Sequence, residues 1–295
     1  AEKVEVGENR LNLGEGSYLF NLDLDTRNAD PATCIAVNEG TAAEIQYPKE
    51  ISEVHLQAAK RLLQEMQQAL LAEDGVNADT KKSWDEYIDA DSWAWKYLIE
   101  EVFENYDAGA CSQYFYWNPE GEDRRIFAGP IWDYDNTLGA STQKNPRCFL
   151  AQRMWKAPEV YTPWFGALCE KQEFYNRVVA LYKTRFLPKL QELADSGIEE
   201  AAEQIADAAE MNRLRWSASY EDLQVSEWVE LMQSFLEERI EFLNSAWLDG
   251  KQYRNICLEI PKDYRYFEVE KGTCIESLPT PAELDISDSL VWYDK

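Results

Sequence analysis

Apolar and polar residues alternate over positions 1–47. VEVGENRLNL, SYLFNLDLD and CIAVNEGTAAEIQY each carry this spacing, with Gly and Asn interrupting the runs. Such alternation puts one strand face on a core and the other in water. Pro48 closes the region, since it has no N–H to give a sheet ladder. The period then lengthens. Ser52 stands as a helix cap, Val54, Ala58, Leu62, Met66 and Leu70 recur at helical spacing to about Leu71, and Gly75 lies beyond the end. A second helix is expected from an Asp91 cap through Trp93, Tyr97, Leu98 and Val102, breaking near Asn105.

QYFYW (113–117) and RIFAGPIW (125–132) predict a β-hairpin, with the turn residues NPEGED between them. From Pro158 to about Leu248 the pattern is helical almost throughout, in FYNRVVALYKTRFLPKLQEL, IEEAAEQIADAAEMNRLRW and SEWVELMQSFLEERIEFLNSAW. From Tyr253 it is β-like again, punctuated by Pro261, Gly272, Pro279 and Pro281. The change of pattern places a boundary near Gly250, separating residues 1–250 from a β-rich tail, 251–295. The fold class is α+β, and no internal repeat is visible.

Charge narrows the choice of partners. With 29 basic and 55 acidic residues the formal charge is 29 − 55 = −26. A surface this acidic repels nucleic-acid backbones and anionic lipid and suits basic proteins or divalent cations. The apolar runs are too short for a bilayer span. No charged-then-apolar leader opens the chain, so any targeting segment is removed or lies upstream. The six cysteines show no C-x-x-C spacing, which argues against zinc. They are read as buried free thiols, with Cys257 and Cys274 the one plausible pair. His55 is the only histidine and falls on the polar, solvated side of an amphipathic helix, which argues against Ser-His and Cys-His catalysis. Cys111 sits among carboxylates that would raise a thiol's pKa, and is read as structural. GEGS (14–17) is not a phosphate-cradling signature. Arg213, Arg215 and Trp216 are expected to brace a helix end, or to touch substrate.

Two acidic motifs bracket the hairpin: N-Y-D at Asn105–Asp107 and W-D-Y-D-N-T-L-G at Trp132–Gly139. Antiparallel strands of similar length bring their outer ends together, so Asp107 and Asp133 should be neighbours. Converging carboxylates repel unless a cation neutralises them, and oxygen ligands select Mg²⁺, Mn²⁺ or Ca²⁺. A helix, a loop with an Asp, a hairpin and a second Asp is the order of a protein-kinase catalytic core. There the first Asp takes the substrate hydroxyl's proton and the second holds the metal on the phosphates. Five positions after Asp107, where a kinase has a metal-binding Asn, stands Ser112. D-Y-D-N-T-L also matches the nucleophile motif of haloacid-dehalogenase-type phosphatases, but the long helical stretch that follows has no βαβ alternation. The remaining alternative is a pair of solvated turn aspartates.

YIDADSWAWKYLIEEVFENYDAGACSQYFYWNPEGEDRRIFAGPIWDYDNTLG (87–139) resembles the signature of the CotH kinase family, named for spore coat protein H. GSYLFNLDLDT and AEIQYPKE upstream agree with it, as do WFGALCEKQEFYNRVVALYKTRF, NRLRW and LEERIEFL downstream. The similarity covers roughly residues 1–250. It implies an atypical protein-kinase fold, mostly the helical large lobe with a catalytic β-hairpin, that transfers phosphate from ATP to protein serines with Mg²⁺ or Mn²⁺. On this resemblance Asp107 matches the catalytic Asp. Asp133 and Asp135 match the metal-binding pair, Ser112 sits at the second-ligand position, and Asn105 belongs to the nucleotide-binding loop. In the family a further stretch, building most of the nucleotide-covering lobe, precedes the segment resembling AEKVEVGENRLNLG, so the resemblance implies an incomplete N-terminal lobe here, without its phosphate-binding lysine. Lys49, at a strand end, is the candidate in its place. The acidic charge points to a serine-containing, Lys/Arg-rich protein substrate. YFEVEKGTCIESLPTP and VWYDK resemble the first half of small bacterial surface β-repeats, which implies an extracellular, cell-surface or spore-coat location and makes disulfides more expected. The rival reading is a non-catalytic scaffold or interaction domain of the surface or spore coat, stabilised by a divalent cation on the same carboxylates.

Overall fold

In a computed structural model of the chain, the described residues are 4–24, 33–38, 40–105, 107–119, 123–140, 145–149, 162–216 and 224–249. The boundary near Gly250, the tail and the Cys257–Cys274 pair lie outside them.

Five strands form one antiparallel sheet: β1 (Tyr18–Leu24), β2 (Cys34–Ala36), β3 (Thr41–Tyr47), β4 (Gln113–Trp117) and β5 (Ile126–Ala128), in the order β2-β3-β1-β4-β5. Leu22 pairs with Ala43 on one side and Gln113 on the other. The alternation of the sequence sorts the two faces. Phe20, Leu22, Ala43, Ile45, Phe115 and Ile126 are buried against the helices. Asn21, Glu44 and Tyr114 lie side by side on the opposite face. The hairpin is thereby continuous with the N-terminal strands. Through β1·β4 it is the edge of the N-terminal sheet. β5 is shorter than its apolar run because Gly129 N–H donates the last rung to Tyr114 O at 2.8 Å, and Pro130 has no N–H to continue. Ahead of β1, among the described residues, an isolated bridge joins Val6 to Leu11.

The first long helix, α1 (Glu53–Leu71), is capped by Ser52, whose Oγ accepts from His55 N–H at 3.3 Å. Its buried face is Leu56, Ala59, Leu63, Met66, Ala69 and Leu70. That is a correction to the stripe read from periodicity, since Val54 is 77% exposed and Ala58 also faces solvent. Two stripes were available, and packing against the sheet and the helix at Trp164 selected the richer one. A one-turn helix, α2 (Trp84–Tyr87), precedes α3 (Ala90–Val102). The cap of α3 is Asp89 rather than Asp91, its Oδ1 accepting from Ser92 N–H at 2.8 Å. Asp91 instead pairs with Arg177 from the first turn.

The helical half comprises α4 (Trp164–Glu170), α5 (Gln172–Leu181), α6 (Leu187–Glu192), α7 (Ile198–Arg215) and α8 (Val225–Trp247). Wider π-helical turns at Tyr182–Phe186 and Leu193–Gly197 join α5, α6 and α7 into one rod. The first of them ends two residues before Pro188, which cannot donate in the regular ladder. The core lies between sheet and helices, where Trp93 packs within 6 Å of Phe115, Trp164 and Phe165 (centroid distances 4.7, 5.8 and 5.7 Å). Such aromatic contacts bury large areas and prefer tilted or edge-on geometry. α3 runs through this core, which puts its C-terminal end beneath both acidic motifs.

Candidate active site

The helix α3 ends at Phe103, and Glu104 turns the chain with φ 49°. Asn105 is fully buried, and its Oδ1 accepts the N–H of Asp107 at 3.2 Å. This is the local bond by which Asn shapes a turn. The carbonyl of Asp107 then accepts from Ala110 N–H (3.0 Å) and Cys111 N–H (3.2 Å), so the half-buried Asp107 side chain is carried on a tight, well-bonded turn. Ser112 follows with φ 55° and leads into β4.

On the other side of the hairpin, Asp133 has φ 64° and is exposed, as is Asp135. Ser112 Oγ donates to Asp133 Oδ2 at 3.0 Å. The second motif is thus linked to the turn that carries Asp107 through Ser112, five positions further on. The second motif continues into the helical half: Leu138 N–H donates to Phe103 O at 2.9 Å, and Gly139, at φ 79°, lies so close to Phe235 that a Cβ would stand 2.8 Å from its ring.

Beneath both loops lies a buried polar group that sequence reasoning missed. Glu100 Oε2 accepts from Asn105 Nδ2 at 2.7 Å. Its other oxygen accepts from the Tyr134 hydroxyl at 2.5 Å and from Lys96 Nζ at 2.7 Å. Lys96 also reaches the Tyr134 hydroxyl at 3.4 Å and lies 5.7 Å from the centre of its ring. Burial, and then the Glu100 carboxylate, hold the Tyr134 hydroxyl far above its ordinary pKa, so it stays a donor. The available signal was a Lys and a Glu four apart inside WAWKYLIEE, among residues that otherwise belong to a core.

Lys49 is not brought to this place. β3 runs in the same direction as β4, and its last residue, Tyr47, pairs with Leu19, whose other partner is Tyr116. Lys49 is thus exposed off the end of the sheet opposite Ser112 and Asp133, a strand length of about 17 Å for five residues. Among the described residues no three or more His, Cys, Asp or Glu side chains cluster so as to hold a metal ion. The carboxylates of the two motifs do not by themselves make a protein cage. On the open face of the sheet, Tyr114 is pushed above its usual pKa by burial, then by Glu44, Asp133 and Asp23. The acidic character of the site therefore extends onto that face.

The family model described as CotH kinase protein matches residues 2–243. The chain belongs to the CotH kinase family. The CotH match takes in the whole sheet, both acidic motifs and most of α8, and it stops short of the tail. No curated protein matches the chain. Several features of this CotH member outside the site have local explanations. His55 is exposed on α1, Cys111 and Cys169 are buried, and Cys34 and Cys148 are half-buried. Arg213 pairs with Glu210 at 2.8 Å, while Arg215 lies 5.3 Å from the ring centre of Trp216. These contacts sit within α7 and its end, as a brace would. Among the described residues no helix is long and apolar enough to cross a membrane.

Proposed function

We propose that this CotH member has a kinase-like fold and transfers the γ-phosphoryl group of ATP to serine hydroxyls of Lys/Arg-rich proteins, with Mg²⁺ or Mn²⁺. The observation that carries the reading is the 3.0 Å contact between Ser112 and Asp133, which joins the Asp107 loop to the W-D-Y-D motif. In this reading Asp107 accepts the hydrogen bond of the substrate hydroxyl and orients it for attack. Asp133 and Asp135 are the residues that would hold the metal. Ser112 donates its hydroxyl hydrogen bond to Asp133, and its oxygen would be a neutral, weaker ligand. The donor set suits Mg²⁺, which keeps several waters and binds one or two carboxylates plus phosphate oxygens rather than an all-protein cage. When bound, the metal supplies charge neutralisation on the phosphates. The proposed setting is extracellular, at a cell surface or in a spore coat.

The scaffold alternative needs a cation site complete without nucleotide. Ca²⁺ takes six to eight oxygens, and the absence of a three-member ligand group among the described residues weighs against it at this place. The test is transfer of radiolabelled phosphate from γ-labelled ATP to a serine-containing basic protein by the full-length protein. Asp133→Asn is expected to abolish transfer. Asp107→Asn should lower kcat by about 10²–10⁴-fold, the range for a lost acid–base group. Stabilisation by Ca²⁺ alone, with no effect of Mg-ATP and no transfer, would favour the scaffold.

A further inference from the structure

We infer that Glu100 is a positioning residue: its carboxylate, fixed by Lys96, sets the Asp107 loop and the Asp133–Asp135 loop relative to one another. The inference rests on the roles proposed above for those aspartates.

Lys96 and Glu100 are 2% and 0% exposed. A buried ion pair is a poor device for stability alone, because well-packed apolar residues of similar volume often do as well or better. The pair is better explained by what the carboxylate holds. One oxygen takes the Asn105 amide, and Asn105 in turn accepts the Asp107 N–H. The other takes the Tyr134 hydroxyl, and Tyr134 is the residue between Asp133 and Asp135. Two loops separated by a whole hairpin are referred to a single carboxylate on a buried helix. Lys96 serves this arrangement twice. It compensates the charge of Glu100, and it reaches the same oxygen that Tyr134 uses, which limits that oxygen's swing. Ser112 links the loops at the surface and Glu100 links them from below, so their separation is held at two heights. Phosphoryl transfer depends almost wholly on placement and electrostatics. A misplacement of about 1 Å can cost 10²-fold in rate.

The test uses Tyr134→Phe, which keeps the ring and removes only the hydroxyl, with Asn105→Ala and the double variant, all in the full-length protein. Transfer by Tyr134→Phe should show kcat lowered by about 10–100-fold, with KM for ATP changed less than about twofold. The double variant should lose far less than the product of the two single losses, because both substitutions release the same carboxylate. Independent, multiplying losses, or an unchanged kcat, would overturn the inference. Hydrogen exchange without nucleotide gives a readout that needs no activity. Tyr134→Phe is expected to speed exchange at the Asp107 amide, on the loop whose Asn105 is held by the same Glu100 carboxylate. Unchanged exchange there would overturn the inference. If the unsubstituted protein transferred no phosphate, the kinase reading alone would fall, and the exchange result would still decide the role of Glu100.

Discussion

Ser112 and Asp133 face each other with both backbones in the left-handed region, at φ 55° and 64°. Neither is glycine, and non-glycine residues held in this region carry local strain. Their mutual hydrogen bond is the visible compensation. The pairing sets different limits for different substitutions at 112. Asn tolerates left-handed backbone and brings an amide oxygen, so Ser112→Asn should fold normally and tighten Mn²⁺ binding in the presence of ATP, read by titration of the spin signal. A β-branched residue tolerates it poorly, and Ser112→Val should lose about 1–3 kcal/mol in urea unfolding. A Val variant as stable as the parent would show that the turn is not strained. The aspartates were legible in the sequence because each sits in a local motif whose spacing survives without knowledge of the fold. Glu100 and Lys96 were not, since a charged residue in an apolar helix looks the same whether it is paired inside or turned to water.

At the scale of elements, α3 does the most. It is buried on nearly all sides, and besides Lys96 and Glu100 it presents Glu101 to α8. Arg239 of α8 donates to the Glu101 carboxylate at 2.7 Å, to the Glu101 carbonyl at 2.5 Å and to Pro146 O at 2.9 Å. It also lies 3.0 Å from Glu104. One guanidinium thus fastens α8, the end of α3 and the stretch that follows the second acidic motif. Arg239→Met would leave two carboxylates buried without it. The expected loss is about 3–5 kcal/mol, with much of it restored when Glu101→Gln and Glu104→Gln are added. A loss below about 1 kcal/mol in denaturant unfolding would contradict this account. The existence of α1, α3 and α8 could be read from their 3.6-residue period, as could the hairpin from alternation. The face of α1 could not, because Val54 and Leu56 are equally apolar and only the sheet beneath distinguishes them.

For the whole molecule the governing quantity is the net charge of −26. A surface of one dominant sign concentrates oppositely charged partners, and salt screens the attraction over about 8–10 Å at moderate ionic strength. If the substrate is basic, raising NaCl from about 50 to 300 mM should increase KM for the protein substrate several-fold while leaving KM for ATP nearly unchanged. An insensitive protein KM would remove charge from the explanation of specificity. The single sheet also matters at this scale. By pairing β1 with β4 it makes the N-terminal strands and the hairpin one continuous sheet, and it sends Lys49 to the end away from Ser112.

Local chemistry was therefore readable from the chain: strand alternation, the Ser52 cap, the turn residues of the hairpin and the motifs that place this protein among the CotH kinases. Each depends on residues a few positions apart, whose physics the order of residues already contains. The pairing of β1 with β4, the stripe of α1 that is buried, the Tyr134–Glu100 bond across 34 positions and the Arg239–Glu101 clamp across 138 depended on folding. These contacts join distant segments, and several partners of similar polarity were available to each. The choice among them is made by packing and by the cost of leaving a buried charge or hydrogen-bonding group unmatched, which exist only once the core has closed.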